Sequence, residues 1–301
     1  MTAPETAAPP EAEAPVTPEL EQAAERATRW RGFRLALPAY VYLIVLFAVP
    51  LVLVGVYSFA SRSRTGAPLL EDWNLDSWKK LADPLVVQIA WRSTWLALLT
   101  TLICLLVAYP FAYYIATRRE RVRNVLLVLV MIPFWSNFLV RTYAWKVLLG
   151  ADGLFTRIGE ALGLWGQLLF TIPAVLIGLV YGFLPFMVLP LYAAIERLDW
   201  SLVEAARDLY ASGWKAFRKV TLPLSRPGII AGSILVFIPS LGAYVTPDIL
   251  GGSKTTLLGN YIVNQFLQAR NWPMGSAVSM AIMIVMLVAT VLYFRSGGKT
   301  L

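Results

Sequence analysis

Two clusters of glycine, serine, lysine and threonine have the side-chain types with which a P-loop holds a nucleotide triphosphate. The first cluster, residues 251–255, has Asp248 and Ser253 at the two positions where a P-loop requires glycine. The second cluster, residues 298–300, has Tyr293 at the position of the first glycine. Because neither pattern fits a P-loop, we expect neither cluster to hold a triphosphate.

Other catalytic side chains are scarce. The sequence contains no histidine, and its single cysteine, Cys104, lies inside an apolar run. This composition excludes His-based acid–base catalysis, His-ligated metals and a disulfide framework. The net charge of +8 would suit nucleic acid, but the basic residues flank apolar runs, which is typical of membrane topology signals. The sequence therefore predicts no catalytic residue, no bound cofactor or metal, and no nucleic-acid partner.

The composition is that of a membrane protein. Hydrophobic residues make up 58% of the 301 residues, charged residues make up 15%, and the mean hydropathy is +0.63. The apolar residues form stretches of about 20, the length that crosses a bilayer. We predict an all-α integral membrane protein with six spans, at residues 35–59, 86–116, 125–149, 171–195, 228–245 and 273–294.

The remaining segments predict the organisation around these spans. Residues 1–25 are rich in Ala, Pro and Glu and predict a disordered tail, and residues 26–34 form a basic cytoplasmic lead-in to a six-span domain at 35–301. Most of the 26 Lys and Arg residues fall on one side of the spans. The positive-inside rule then predicts that both termini and the polar loop at 196–226 are cytoplasmic.

The polar loop is predicted to contain two short helices. Ser201 and Glu204 form a capping-box pattern at the start of a helix at residues 202–212, and Gly213 is expected at its C′ position. A second helix is predicted at residues 214–220. A helix–turn–helix of this kind suits either a docking element for another protein or an amphipathic anchor on the membrane surface.

The loop resembles the EAA loop of ABC-importer permeases. The resemblance rests on Glu204-Ala205-Ala206 followed by Val220-Thr221-Leu222-Pro223, and it extends through residues 132–145, 239–252 and 270–273 to the spermidine/putrescine-type permeases. It implies a type I ABC importer permease fold in which this loop is the coupling helix. The residues that it assigns to ATPase coupling are Glu204, Ala205, Ala206, Tyr210, Gly213, Val220, Leu222 and Pro223. Tyr210 stands where the family usually has glycine.

The resemblance also implies partners and a substrate class. The partners would be a second permease subunit, two ATP-binding cassette subunits that use ATP and Mg²⁺, an extracytoplasmic substrate-binding protein, and the lipids of a bacterial inner membrane. A polyamine is the first choice of solute. Opines or other amino-acid-like solutes, ferric iron and sulfate-like anions remain alternatives. A gated channel and an intramembrane enzyme are the rivals from other classes.

Five residues are candidates for the substrate path. Arg141 is predicted within a span, where a charge costs about 2.5–3.5 kcal/mol, so it either contacts substrate or extends to the interface. Asp248 would attract a cation at the outer mouth, or it is a turn residue. Trp135, Tyr143 and Tyr244 offer cation–π surfaces, although packing and interface belts also use such residues.

Overall fold

The structure is a computed structural model that describes residues 36–63, 66, 68–252 and 255–297, with side chains to residue 291. The predicted tail at 1–25, the basic lead-in at 26–34 and the cluster at 298–300 lie outside the described residues. The chain divides into two compact units, Met1–Val54 and Gly55–Leu301. The described part of the first unit is helical throughout.

Helices account for nearly all of the described secondary structure. In chain order, the elements are α1 (Ala36–Tyr57), β1 (Ser61–Arg62), β2 (Pro68–Leu69), α2 (Asp76–Lys79), α3 (Pro84–Ala116), α4 (Glu120–Trp135), α5 (Phe138–Leu149), α6 (Leu154–Ala161), α7 (Ile172–Glu196), α8 (Trp200–Asp208), α9 (Gly213–Ala216), α10 (Leu222–Leu224), α11 (Arg226–Leu241), α12 (Val245–Gly251), α13 (Leu258–Leu267) and α14 (Trp272–Gly297). A π-helical segment, Phe217–Thr221, joins α9 to α10, and β1 pairs with β2 in an antiparallel ribbon.

The described helices confirm the predicted all-α membrane class. Four are long and apolar enough to cross a bilayer: α1, α3, α7 and the Trp272–Val291 part of α14. Two further pairs qualify together but are bent, by 88° between Glu120–Trp135 and Phe138–Ala161 and by 64° between Gly213–Leu224 and Arg226–Leu241. The predicted number of six spans is reached if each bent pair crosses once.

The predicted third span, at residues 125–149, is not one continuous helix. Helix α4 ends at Trp135, two residues after Pro133, and α5 starts in a new direction at Phe138. Asn137 is the N-cap of α5, and its side-chain oxygen accepts hydrogen bonds from the amides of Leu139 (2.8 Å) and Val140 (3.4 Å). The apolar run continues across this break, so hydropathy does not reveal it. The break is marked instead by a polar N-cap residue near a proline.

The fifth span is also shorter than the predicted 228–245. Helix α11 contains Pro239 and ends at Leu241, and the following residues form the separate helix α12. Proline lacks the amide hydrogen that would continue the hydrogen-bond ladder, so a stop within a few residues is expected.

Helices α3, α7 and α11 pack together in a hydrophobic core of the second unit. Met187, Leu191 and Val236 are fully buried there. Two glycines let α11 approach α7 closely: a Cβ on Gly228 would lie 2.5 Å from the Cβ of Ala194, and one on Gly232 would lie 2.7 Å from the Met187 sulfur. Small residues at such contacts are the usual means of packing membrane helices, because dispersion contacts need close backbones.

Candidate functional site

The polar loop forms its first helix two residues earlier than predicted. Asp199 is the N-cap of α8, and its carboxylate accepts a hydrogen bond from the Ser201 amide at 3.0 Å. The predicted capping box at Ser201 and Glu204 is therefore wrong, because aspartate is an equally good cap and precedes Ser201 in the chain. Hydrogen bonds from Ser201 lower the pKa of Asp199. The cap is thus fully formed at neutral pH and is lost as the pH falls through that lowered pKa.

The helix also ends earlier than predicted, at Asp208, and Tyr210 takes the C′ position that was assigned to Gly213. The Tyr210 amide donates to the Arg207 carbonyl at 2.9 Å, and the Ala211 amide donates to the Ala206 carbonyl at 3.1 Å. This pair of bonds is a Schellman motif, which needs a left-handed residue at C′. Tyr210 has a φ of 58°, so a tyrosine occupies a conformation that favours glycine.

Gly213 has a different role from the predicted one. It is the first residue of α9, whose N-cap is Ser212, and the Ser212 hydroxyl accepts a hydrogen bond from the Lys215 amide at 3.4 Å. The two short helices are therefore joined by a turn that starts at Leu209 and ends at Ser212.

Replacing Tyr210 with glycine is expected to stabilise this turn. The side chain is 96% exposed, so its removal sacrifices little packing, whereas relief of the left-handed conformation is worth about 1 kcal/mol. Hydrogen–deuterium exchange of the Ala211 amide should slow by about fivefold, if that amide exchanges through local opening. Tyr210→Val is the opposing variant, since a β-branched residue tolerates positive φ poorly. Faster exchange in Tyr210→Gly than in the wild type would contradict this account.

The eight residues predicted for ATPase coupling divide into two sets. Four are exposed: Glu204, Ala205, Tyr210 and Gly213. Four are half-buried against the rest of the protein: Ala206, Val220, Leu222 and Pro223. The loop thus has an outward surface and an inward surface.

The exposed side chains of the loop include large apolar ones as well as charged ones such as Arg207, Asp208 and Lys215. Leu209 and Trp214 are 82% and 69% exposed, and Leu202 and Ala205 are exposed beside them. Glu204 lies among these residues and makes no ion pair within the part of the chain that the structure describes. Large exposed apolar side chains beside charged residues are typical of a protein interface.

The inward surface is attached to α3 by an aromatic cluster, which we call the aromatic bridge: Tyr109, Tyr113, Trp200, Trp214 and Phe217. The Phe217 ring lies 5.4 Å from Tyr109, 6.3 Å from Tyr113 and 5.2 Å from Trp214. Tyr113 also meets Trp200 edge to face at 6.0 Å. The bridge therefore connects both halves of the loop to one membrane helix.

Two polar contacts reinforce this attachment. The Tyr109 and Ser225 hydroxyls are hydrogen-bonded at 2.7 Å inside the protein, which ties α3 to the end of the loop. Arg123 and Glu196 form an ion pair at 2.7 Å, which ties the start of α4 to the end of α7. Sequence reasoning did not identify these residues, because their types are ordinary for a membrane protein and only the fold brings them together.

The predicted substrate-path residues lie at the opposite end of α11 or along α4 and α5. The Arg141 guanidinium lies 5.7–6.0 Å from the rings of Phe134, Phe138 and Tyr181. Its Nε and one Nη are buried and have no hydrogen-bond partner among the described residues. These atoms of the side chain are directed into the protein.

The other four candidates do not form one cluster with Arg141. Trp135 is 78% exposed at the end of α4. The Tyr143 ring already has a cation over it, because the Lys146 Nζ lies 5.6 Å from its centroid. Tyr244 and Asp248 are brought together and line one polar cavity. Arg141 is thus enclosed by aromatic rings, whereas the Asp248 carboxylate lies in a different, accessible cavity.

Helix α12 lies between these two environments. Thr246 and Leu250 face the small cavity that contains Arg141, whereas Tyr244 and Asp248 face the polar cavity. The spacing of four residues within each pair matches one helical turn and explains why each pair shares a face.

Comparison with known proteins gives three kinds of match. Residues 108–296 match the family described as binding-protein-dependent transport system inner membrane component. The spermidine/putrescine transport system permease protein PotB of Haemophilus influenzae is 42% identical over 261 residues, covering 86% of this chain and 91% of that protein. PotB of Escherichia coli is 41% identical over 259 residues, covering 85% and 94% respectively.

The solved structures that resemble this fold are also transporter chains. A chain of the bacterial alginate ABC transporter, solved in complex with an alginate pentasaccharide-bound periplasmic protein, superposes with a TM-score of 0.68. It is 15% identical, and the match covers 89% of this chain and 94% of that chain. A chain of the inward-facing MetNI methionine ABC transporter superposes with a TM-score of 0.50 at 18% identity, covering 72% and 96%.

Proposed function

This chain belongs to the family of binding-protein-dependent transport system inner membrane components, and from that membership we propose that it imports polyamines such as spermidine and putrescine. The relatives that support this choice of solute are at least 40% identical to it over most of its length. The chain is a multi-pass inner membrane permease. It provides part of the translocation path rather than an enzymatic activity.

The transporter needs three further kinds of subunit in this proposal. A second permease completes the path, two ATP-binding cassette subunits hydrolyse ATP with Mg²⁺, and an extracytoplasmic binding protein delivers the solute. A neighbour in fold supports the binding-protein partner, because it was solved with a solute-bound periplasmic protein. Both termini and the polar loop are assigned to the cytoplasmic side by the positive-inside rule.

The observation that carries the mechanism is the two-sided loop. Its outward surface, with Leu209 and Glu204, docks on the ATPase, and its inward surface is attached to α3 through the aromatic bridge. Closure of the ATPase pair on ATP displaces the loop, and the bridge transmits that displacement to the membrane helices. The path then alternates between outward-facing and inward-facing states.

Reconstitution tests the proposed function directly. The chain is purified with its permease partner and ATPase subunits, placed in liposomes that contain ATP, and supplied with radiolabelled spermidine on the binding protein. We expect ATP-dependent uptake that unlabelled putrescine inhibits and sulfate does not. Uptake of sulfate or of a ferric complex in place of spermidine would contradict the proposed substrate, and uptake without ATP would indicate a channel.

A further inference from the structure

A cavity of about 780 Å³ lies beside the last part of α3, between that helix and the inward side of the polar loop. One wall is formed by α3, and the other is formed by Phe217, Leu222 and Ile229. We propose that this cavity binds an anionic phospholipid, with an acyl chain between the walls and the phosphate at Arg118. The inference goes beyond the proposed function, because it requires neither a particular solute nor a step of transport.

The α3 wall is a stripe along one face of the helix. Leu106, Pro110, Tyr113 and Thr117 recur in it every three or four residues, which is the spacing of a single helix face. The stripe is open, because Leu106 is 65% exposed and Pro110, one turn further on, is also exposed. Since α3 is long and apolar enough to cross a bilayer, these exposed side chains face hydrocarbon tails rather than water.

The length of the stripe matches one leaflet of the bilayer. From Leu106 to Thr117 the helix advances by about 17 Å, at roughly 1.5 Å per residue. One leaflet contributes half of a hydrocarbon core that is about 30 Å thick. Thr117 is the C-cap of α3, and Arg118 follows it, so the stripe ends where the span ends. An acyl chain beside the stripe therefore places its headgroup at Arg118, on the side that the positive-inside rule assigns to the cytoplasm.

The mouth of the cavity is positive. The exposed Arg118 guanidinium lies 4.0 Å from the centroid of the Tyr114 ring, which holds it at the end of the stripe. Arg118 makes no ion pair among the residues that the structure describes, and the described lining contains no Asp or Glu. Arg119 and Arg121 are exposed in the same turn and outnumber its acid, Glu120. Basic pockets at the cytoplasmic ends of spans bind the headgroups of acidic lipids.

The same features disfavour other occupants. A polyamine would be repelled by Arg118 and would find no carboxylate in the described lining. A span of a second permease subunit would bury the Arg118 guanidinium, which is costly unless an acid accompanies it. A phosphate neutralises the guanidinium through bidentate hydrogen bonds while remaining at the boundary with water. A lipid therefore fits both the apolar walls and the charged mouth.

Photoactivatable lipids test the proposal. The assembled transporter is placed in nanodiscs that contain equal amounts of phosphatidylglycerol and phosphatidylcholine. A trace of one lipid or the other carries the same diazirine in its acyl chain, and the adducts are mapped by mass spectrometry after irradiation. We expect the phosphatidylglycerol probe to label the Leu106–Tyr113 segment about fivefold more than the phosphatidylcholine probe, because one cation near the membrane surface has an effect of this order. Both signals are normalised to adducts at Val285 and Leu287, which are exposed on α14.

Matched arginine variants locate the headgroup. Arg118→Gln should bring the normalised ratio close to one. Arg121→Gln makes the same charge change outside the described lining and should leave the ratio unchanged. Arg118→Lys keeps the charge and should keep most of the enrichment. Both arginines are exposed, so these variants are expected to fold, and labelling at Val285 and Leu287 verifies that they have inserted.

Three results would overturn the proposal. Equal labelling by the two probes in the wild type would show that the walls contact bulk lipid without selecting a headgroup. Enrichment that persists in Arg118→Gln would exclude the phosphate contact at this residue. Absence of labelling at Leu106 by either probe, with normal labelling at Val285, would show that another subunit covers the cavity. None of these results bears on the polyamine assignment, which the uptake assay tests separately.

Discussion

Glu204→Lys is expected to abolish solute uptake and to release the ATPase subunits, while the protein still inserts into the membrane. Glu204 is exposed on the outward surface of the loop and has no ion-pair partner among the described residues, so reversing its charge does not disturb the fold of this chain. Once the ATPase covers this surface, a lysine there is buried opposite groups selected for a carboxylate. Losing a buried charged contact costs about 2–5 kcal/mol, which is roughly 30-fold or more in affinity.

The measurements are co-purification of the ATPase subunits and uptake in proteoliposomes. Glu160→Lys is the matched control, because it makes the same charge change at an exposed position on α6, far along the chain from the loop. Wild-type uptake and co-purification in Glu204→Lys would remove the coupling role from this residue. Loss of both in Glu160→Lys would indicate that net charge, rather than the contact, is responsible.

Tyr113→Ala should give the opposite combination, with ATPase subunits bound and hydrolysing ATP but uptake reduced at least about tenfold. Tyr113 contacts Trp200 in the first part of the loop and Phe217 in the second, so its ring joins both halves to α3. Aromatic pairs contribute about 0.5–1.5 kcal/mol each beyond their burial, and losing two weakens the attachment by roughly 1–3 kcal/mol. Movement of the loop would then no longer be transmitted efficiently to the span.

The next residue supplies the control for this variant. Tyr114 is on the same helical turn but 49% exposed, and its ring contacts the Arg118 guanidinium at 4.0 Å rather than the aromatic bridge. Tyr114→Ala should therefore retain uptake. If the two alanine variants lose uptake equally, the aromatic bridge has no specific role in transmission. If Tyr113→Ala releases the ATPase, the bridge maintains the docking surface instead of transmitting its movement.

Together, the two variants separate docking from transmission. Glu204→Lys removes the contact with the ATPase and leaves the loop attached to α3. Tyr113→Ala leaves the contact surface unchanged and loosens its attachment. Uptake falls in both, and the association of the ATPase distinguishes them.

The membrane class and the loop motif could be predicted because their signals are local. Hydropathy adds up over about 20 consecutive residues, and this sum alone determines whether a stretch is stable in a bilayer. Glu204-Ala205-Ala206 and Leu222-Pro223 are likewise readable along the chain. Conversely, the break at Ser136 and Asn137 was missed, because apolar composition continues across it and the cap acts through individual hydrogen bonds.

The turn inside the loop was misassigned for a related reason. Glycine is the usual residue at a left-handed C′ position, so the sequence favoured Gly213. The structure uses Tyr210, because α8 starts at its Asp199 cap and stops at Asp208. Where the helix ends depends on both its starting cap and the packing of its inward side, and neither is evident from the glycine pattern.

Sequence alone determined that this chain spans a membrane, that the loop at 196–226 is a polar interruption with an EAA-like motif, and that Asp248 and Tyr244 are candidates together with Arg141. Tertiary structure decided which of these residues meet. It directed Arg141 into an aromatic cavity, paired Asp248 with Asn260 across two helices, and joined Tyr113 to Trp200 and Phe217. The physical reason is that hydropathy and caps act within one or two helical turns, whereas these contacts join residues far apart in sequence and form only when the helices pack.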